Sequence, residues 1–173
     1  MTEAVARNHQ TFVLPPSVVS KLDVSRLVSE VERIDAELTA TAVRAKAGVV
    51  AQPDLVVSEQ LTDFLKLNGM SITQNSQERA TLIKELQLLK DGAPVMHMTF
   101  AVEADRDSLS QLAAWLRTSV HPQAVISAGL QPALVAGVYL RTPNKVLDMS
   151  LRGALAGSHD VLVKELETYR AGR

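Results

Sequence analysis

A chain of 173 residues, 46% of them hydrophobic, can form one domain or two small ones and can bury a sizeable core. Its 18 basic and 19 acidic residues nearly cancel, which excludes a polyanion or an anionic membrane surface as an obvious electrostatic partner. The sequence has no cysteine, which excludes disulfides and thiol chemistry, and only 3% aromatic residues, which disfavours a stacking surface for bases or sugars.

We expect no signal peptide at the beginning of the chain. Its first ten residues are polar and lack the basic and apolar regions of a signal peptide. No apolar run reaches the roughly 18 residues that a bilayer span requires. We therefore expect a cytoplasmic protein that reaches a membrane only through a partner.

A long amphipathic helix is the first strong element. It is predicted from Val24 to about Lys46, with Asp23 as its N-cap and Gly48 at its end. Apolar residues at three- and four-residue steps form one stripe along it: Val24, Leu27, Val28, Val31, Ile34, Leu38, Ala42 and Ala45. The stripe fits the central helix of a small bundle, or a surface that also receives a partner's helix.

Two further helices are predicted before the pattern changes. One runs from about Leu55 to Asn68-Gly69, and Met70–Gln74 is a linker. The other begins at the capping-box candidate Asn75–Glu78 and ends at Asp91-Gly92. The sequence therefore predicts an N-terminal all-helical domain over residues 1–92.

Residues 93–173 are predicted to form a small α/β domain, which makes the chain α+β overall. Alternation around Met96 and Met98 predicts a strand with both methionines in the core, and a helix follows from about Asp105. A second strand is predicted at Gln123–Ala128.

The end of this domain is predicted to be a hairpin followed by helix. Its strands are Leu134–Arg141 and Lys145–Asp148, joined by a turn at Pro143-Asn144. A short helix follows the second strand and runs through Leu155, and the run Asp160–Arg170 offers another apolar helix face.

The hairpin and its helix resemble the signature of F-type ATP synthase delta subunits, the oligomycin-sensitivity-conferring protein family. That signature is an Asp-Pro-Ser-Leu-Ile-Gly-Gly-type segment, an apolar strand, a turn, then Val-Ile-Asp and a Ser before a helix. The residues that match in order are Pro132, Leu134, Gly137, Lys145, Val146, Asp148 and Ser150. Gln131, Ala133 and Ala136 depart from it. The resemblance covers roughly residues 95–155, and the family's usual Tyr-Ala-x-Ala-Leu-like first helix is absent.

The resemblance implies a structural role without catalysis or cofactor. A delta subunit links the catalytic alpha/beta head to the stalk b subunits, so that the head does not rotate during proton-driven ATP synthesis. Its N-terminal domain would hold N-terminal helices of the alpha subunits, and its C-terminal domain the stalk b subunits. The candidates for head contact are Val24, Val28, Val31 and Leu38, and those for stalk contact are Leu162, Val163, Leu166 and Tyr169. Core packing is the competing explanation for all eight.

Motifs for nucleotide or metal chemistry are missing from the sequence. Neither a Gly-x-x-x-x-Gly-Lys-Ser/Thr loop nor a Gly-x-Gly-x-x-Gly fingerprint occurs. The histidines are dispersed along the chain, at His9, His97, His121 and His159. The acids Glu103, Asp105 and Asp107 lack the glycine and the distal glutamate of a calcium loop, so we interpret them as the start of a helix.

Asp148 and Ser150 invite a base-and-nucleophile interpretation, but no Gly-x-Ser-x-Gly elbow surrounds them, and a helix cap explains them better. A second functional hypothesis stays open at this point. It is a small enzyme or ligand-binding domain with a pocket between sheet and helices around His97, Trp115 and Asp148.

Overall fold

The computed structural model of the chain describes residues 12–48, 53, 55–142 and 145–171. Side chains at positions 157, 160, 162 and 171 lie outside this description. His9 and the predicted turn at Pro143-Asn144 therefore lie outside the described residues, as does the side chain of Leu162.

The described chain forms five α-helices and four strands, in an order that confirms the α+β class. They are α1 (Lys21–Lys46), α2 (Glu59–Leu67), α3 (Ser76–Gly92), β1 (Val95–Phe100), α4 (Arg106–Ser119), β2 (Val125–Leu130), β3 (Gly137–Arg141), β4 (Val146–Ser150) and α5 (Leu151–Ala171). A 3₁₀ turn at Pro132–Leu134 precedes β3.

The elements group into two compact units. The first unit contains the residues up to Pro94 together with Ser110–Val125, and the second contains Val95–Leu109 and Ile126–Arg173. Helix α4 contributes to both. The proposed division into domains 1–92 and 93–173 stays a prediction.

Helix α1 begins earlier than predicted, because its cap is Ser20 and not Asp23. The Ser20 hydroxyl accepts the Asp23 backbone N–H, and the buried Asp23 carboxylate accepts the backbone N–H groups of Ser20 and Val19 at 2.9 and 3.0 Å. This reciprocal pair is a capping box. Asp23 thus stabilises the helix from its third position, and our choice of it as the cap was wrong.

Helix α2 also begins at a serine. The Ser58 hydroxyl accepts the Leu61 N–H, while the Glu30 carboxylate on α1 accepts both the backbone N–H and the hydroxyl of Ser58 at 2.6 Å. Residues 55–57 are therefore not helical, and the predicted start near Leu55 was early.

The core of the first unit is aliphatic and centres on the predicted α1 stripe, which packs chiefly against α3. Ile34 and Leu27 of α1 are fully buried, as are Phe64 of α2 and Leu86 of α3. The Phe12 and Phe64 rings lie 5.4 Å apart between centroids, which ties the segment before α1 to α2.

One guanidinium holds that segment to the end of α4. Arg117 donates to the carbonyl oxygens of Pro15 at 2.8 Å, Leu14 at 3.3 Å, and Val18, and its Nε donates to Ala124 at 3.1 Å. Burial lowers the pKa of Arg117 to about 10, so the group stays charged at neutral pH. The backbone carbonyls replace the water that the buried charge has lost.

An ion pair joins α1 to α3. Arg79 is 4% exposed, and its Nε lies 2.6 Å from the Asp35 carboxylate, while its Nη1 donates to the Thr73 carbonyl at 2.9 Å. Because removal of one partner leaves a buried charge uncompensated, this pair should matter more than those on the surface.

We expect Asp35→Asn to lower the free energy of unfolding by about 2 kcal/mol, since the Arg79 charge then loses its counter-charge. Glu37→Gln is the matched control, because Glu37 pairs with Arg44 on an exposed part of the same helix and should cost below about 0.5 kcal/mol. Urea unfolding measures both variants. Equal losses of stability in the two variants would contradict a larger contribution of the buried Arg79–Asp35 pair.

The four strands form one mixed sheet in the order β2-β1-β3-β4. β3 is antiparallel to both β1 and β4. Bonds from Val125 N–H to the Pro94 carbonyl and from Gln131 N–H to the Phe100 carbonyl show that β2 runs parallel to β1.

The register gives the sheet one apolar face. Met98, Leu140 and Leu147 lie side by side on it, and Thr99, Tyr139 and Asp148 lie on the other face. Met96 and Met98 are buried, at 5% and 4% exposure, in agreement with the predicted core role. Towards β4 the apolar face is open, since Leu147 is 46% exposed.

The predicted C-terminal helices are one helix. α5 runs unbroken from Leu151 to Ala171, because the stretch between Leu155 and Asp160 contains no proline and its glycine does not interrupt the helix. Among the described residues no helix combines the length and the apolar character needed to cross a bilayer.

Candidate interaction surface

The segment that leads into β3 adopts an unusual backbone. Pro132–Leu134 forms the 3₁₀ turn, Leu134 is buried, and the hairpin strand begins at Gly137 and not at Leu134 as predicted. Val135 has φ 68° and ψ −54°, and the Ala136 N–H donates to the Leu134 carbonyl at 2.8 Å. This is a γ-turn with a β-branched residue at its centre, a strained conformation.

Gly137 follows with φ 89° and leaves no room for a side chain. A Cβ placed there would overlap the Met149 carbonyl oxygen and lie 3.0 Å from the Ser150 Cα. Beside it the Ala136 carbonyl accepts the Leu151 N–H at 2.8 Å. The backbone at the start of β3 therefore lies in close contact with the junction between β4 and α5.

The junction itself is a helix cap built from two signature residues. The Ser150 hydroxyl accepts the Gly153 N–H at 3.0 Å, and Asp148 Oδ1 accepts the N–H and hydroxyl of Ser150 at 2.9 and 2.6 Å. The bonds from Ser150 hold the pKa of the Asp148 carboxyl below its usual range. Asp148 and Ser150 thus orient the first turn of α5.

Gly153 is a residue that our sequence reasoning missed. A Cβ at this position would lie 2.6 Å from Asp148 Oδ2, so a side chain at position 153 would require the Asp148 carboxylate to move. A glycine three residues after a capping serine is the signal that could have identified it.

We expect Ser150→Ala to destabilise the first turn of α5 by about 1 kcal/mol, because the Gly153 N–H loses its acceptor. Hydrogen exchange at the amides of the first turn should rise. Ser158→Ala is the matched control, since the Ser158 hydroxyl only donates to a carbonyl within the same helix. Unchanged exchange in Ser150→Ala would contradict the capping role.

Beyond its first turn, α5 exposes apolar side chains along its length. Within the second unit it chiefly contacts β4 and the Pro132–Leu134 turn, which lie at its N-terminal end. Its exposed apolar residues, with fractional exposure, are Leu151 44%, Leu155 55%, Val161 63%, Val163 40%, Leu166 68% and Tyr169 77%. Three of the four predicted stalk-contact residues are therefore exposed, and the side chain of the fourth, Leu162, is not described.

The four candidates for head contact are placed differently. Val24, Val28, Val31 and Leu38 are all at most 5% exposed and pack in the core of the first unit. Core packing accounts for their spacing, and their contact with a partner stays a prediction.

The alternative hypothesis names His97, Trp115 and Asp148, and a pocket around them stays a prediction. His97 is exposed, Trp115 is 57% exposed, and Asp148 is engaged in the cap. A shallow cavity of about 270 Å³ lies elsewhere, along α3 and the loop before it; its lining is Met70, Asn75, Gln77, Glu78, Thr81, Leu82 and Glu85.

The acidic stretch before α4 behaves as a helix start. Asp105 accepts the Ser108 N–H at 2.6 Å and the Ser108 hydroxyl at 2.9 Å, and these bonds lower the pKa of the Asp105 carboxyl. Across the residues that the structure describes, no three His, Asp or Glu side chains cluster as metal ligands.

Comparison with known proteins gives two findings. A family model described as "ATP synthase delta (OSCP) subunit" matches residues 57–162, from just before α2 into α5. A protein named "ATP synthase subunit delta" from Dichelobacter nodosus (strain VCS1703A) is 31% identical over 100 residues. That similarity spans 57% of this chain and 54% of the relative, about half of each protein.

Proposed function

Because this chain belongs to the ATP synthase delta (OSCP) subunit family, we propose that it is a non-catalytic subunit of the peripheral stalk. In this role it links the alpha/beta head to the stalk b subunits, so that the head does not rotate during proton-driven ATP synthesis. The observation that supports the proposal most directly is the set of exposed apolar side chains on α5. This helix begins directly after the family's signature residues Asp148 and Ser150.

The work of such a subunit is mechanical, and the signature residues suit it. Gly137 lets the backbone of β3 approach the β4–α5 junction closely, and Ser150 and Asp148 cap α5 at that junction. A helix anchored by backbone contact and by a cap transmits force to the sheet without a flexible linker. These bonds make α5 a firm attachment point.

The stalk contact is assigned to α5, with Leu162, Val163, Leu166 and Tyr169 against b subunits. An exposed apolar helix face binds another helix by burying both faces. Val163, Leu166 and Tyr169 are exposed by 40%, 68% and 77%, which leaves their surface available for such burial.

The head contact is assigned to the first unit and N-terminal helices of the alpha subunits. The buried Val24, Val28, Val31 and Leu38 would act there by holding α1 in place. Direct contact by α1 would need its exposed apolar residues, such as Leu22 and Val43, each 61% exposed.

The proposal also fixes where the protein works. It would lie on the cytoplasmic side, peripheral to the membrane through the complex alone, with no nucleic-acid partner and no cofactor of its own. The balance of 18 basic and 19 acidic residues supports attachment through partners and not through lipid headgroups.

Affinity capture from native, detergent-solubilised membranes tests the role. With this chain as bait, mass spectrometry should recover the alpha, beta and b subunits, and a bait of unrelated sequence with the same tag should recover none. Recovery of the chain alone would refute the stalk role.

A further inference from the structure

The residues before α1 form a strap, residues 12–19, that is part of the core of the first unit. The Asn68 side chain at the end of α2 bonds to the Val13 backbone N–H and carbonyl at 2.9 and 3.0 Å. The Gln60 amide of α2 donates to the Ser17 carbonyl at 2.7 Å. The strap also buries four apolar side chains, which are Phe12, Leu14, Val18 and Val19.

The same strap is bonded to the end of α4. The Arg117 guanidinium donates to strap carbonyls 99 to 103 residues earlier in the chain, and its Nε donates to the Ala124 carbonyl in the loop that follows α4. Because one planar donor group serves all of these acceptors, the strap, the end of α4 and the loop after it hold one another in place.

The buried side chains of α4 lie in its second half. Ala113 and Leu116 are 0% and 1% exposed, whereas Leu109 is only half-buried. The loop after the helix continues this burial, since Ala124 is also 0% exposed. Residues 110–125 are the ones that group with the first unit. The division between the two units therefore falls inside a continuous helix.

We propose that the first unit is a discontinuous folding unit, in which residues 110–125 complete the part before β1 and the bonds of Arg117 close it. The arrangement departs from the predicted boundary at residue 92, which would place all of α4 with the sheet. It also goes beyond the proposed function, under which the unit that holds the head extends through residue 125.

A folding unit is recognised by its amides, which exchange their hydrogens through one shared opening reaction. The backbone N–H groups in the second half of α4 should therefore exchange only when α1 and α3 open as well. A core substitution on α1 should then speed exchange on α4, although it changes no residue of that helix. A core substitution in the second unit should leave the second half of α4 unaffected.

Native-state hydrogen exchange of the full-length chain tests this with two matched variants. Ile34→Val removes one methylene from the fully buried core of the first unit, and Leu134→Val removes one from a buried site in the second. Each should raise the opening equilibrium constant of its own unit about fivefold. Exchange at the amides of Ala113 and Leu116 should rise by the same factor in Ile34→Val and stay unchanged in Leu134→Val.

Every other result overturns the arrangement. A rise on α4 in Leu134→Val alone would place the helix with the sheet and support a boundary at residue 92. Equal rises in both variants would show that the whole chain opens as one unit, and a rise in neither would show that α4 opens by itself. Since the measurement involves no partner, none of these results bears on the stalk role.

A third variant tests closure of the unit by Arg117. Arg117→Lys keeps the charge but cannot bond several carbonyls in a fixed plane. Exchange of the Val18 N–H, which donates to the Pro15 carbonyl at 3.0 Å, should rise about fivefold together with exchange at Leu116. Arg44→Lys, on the half-exposed end of α1, is the control and should change neither. A rise at Val18 alone, or at neither amide, would refute closure of the unit by Arg117.

Discussion

Gly137→Ala is expected to disrupt the C-terminal hairpin and to cost on the order of 3 kcal/mol or more of stability. The new methyl group would overlap the Met149 carbonyl oxygen, which belongs to the neighbouring backbone and has no free rotation to move aside. The φ of 89° adds strain for any residue with a side chain. Since the same contact positions Ser150, α5 should lose its anchor together with the hairpin.

Gly69→Ala is the matched control, because Gly69 has φ 62° but no heavy atom within 4 Å of a Cβ placed there. It should cost about 1 kcal/mol, from backbone strain alone. Thermal unfolding gives the stability of each variant, and hydrogen exchange locates the loss at β3 and β4. Similar costs for the two variants would mean that the close approach at Gly137 is unimportant.

Arg117→Met should have the second-largest effect, a loss of about 3 kcal/mol in the free energy of unfolding, although methionine is the more apolar side chain. The Pro15, Leu14, Val18 and Ala124 carbonyl oxygens would lose their shared donor in a half-buried site. Leaving buried acceptors unsatisfied costs more than one ordinary hydrogen bond contributes. The segment before α1 should detach from the end of α4.

Arg117→Lys distinguishes the donor pattern from the charge. A lysine keeps the charge but has one nitrogen, which cannot bond four carbonyls in a fixed plane, so an intermediate loss is expected. Arg44→Met, on the half-exposed end of α1, should be nearly neutral. Chemical denaturation, with hydrogen exchange at the amides of Leu14, Ser17 and Val18, measures these effects. A neutral Arg117→Met would refute the role of this guanidinium.

Local periodicity was enough to predict most of the elements. Each of three predictions depended only on residues close together in the sequence. The α1 stripe predicted a helix, the alternation around Met98 a strand, and the apolar run into Arg141 a hairpin strand. The structure has these elements. The resemblance at Asp148 and Ser150 identified the family, which the family model confirms. The resemblance could be recognised in the sequence because the two residues lie two positions apart and bond to each other.

Contacts between distant parts of the chain could not be predicted in this way. Arg117 bonds to carbonyls about 100 residues earlier, and Arg79 pairs with Asp35, 44 residues earlier. Nothing in the local sequence of these residues distinguishes them from surface arginines. The γ-turn at Val135 was missed because the local sequence was misleading: a β-branched residue at this position suggests a strand.

Under the proposed function, one chain holds the head through its first unit and the stalk through α5. The direct measurement is capture of the synthase on a chain carrying both Leu166→Asp and Tyr169→Asp, compared with the unmodified chain. Both side chains are largely exposed, so the fold should be retained, while binding of b subunits should fall at least about tenfold. Lys164→Asp with Thr168→Asp adds as many carboxylates to the opposite face and serves as the control. The account predicts that the alpha and beta subunits stay on the variant chain and the b subunits leave it. Retention of b, or loss of the head together with b, would contradict it.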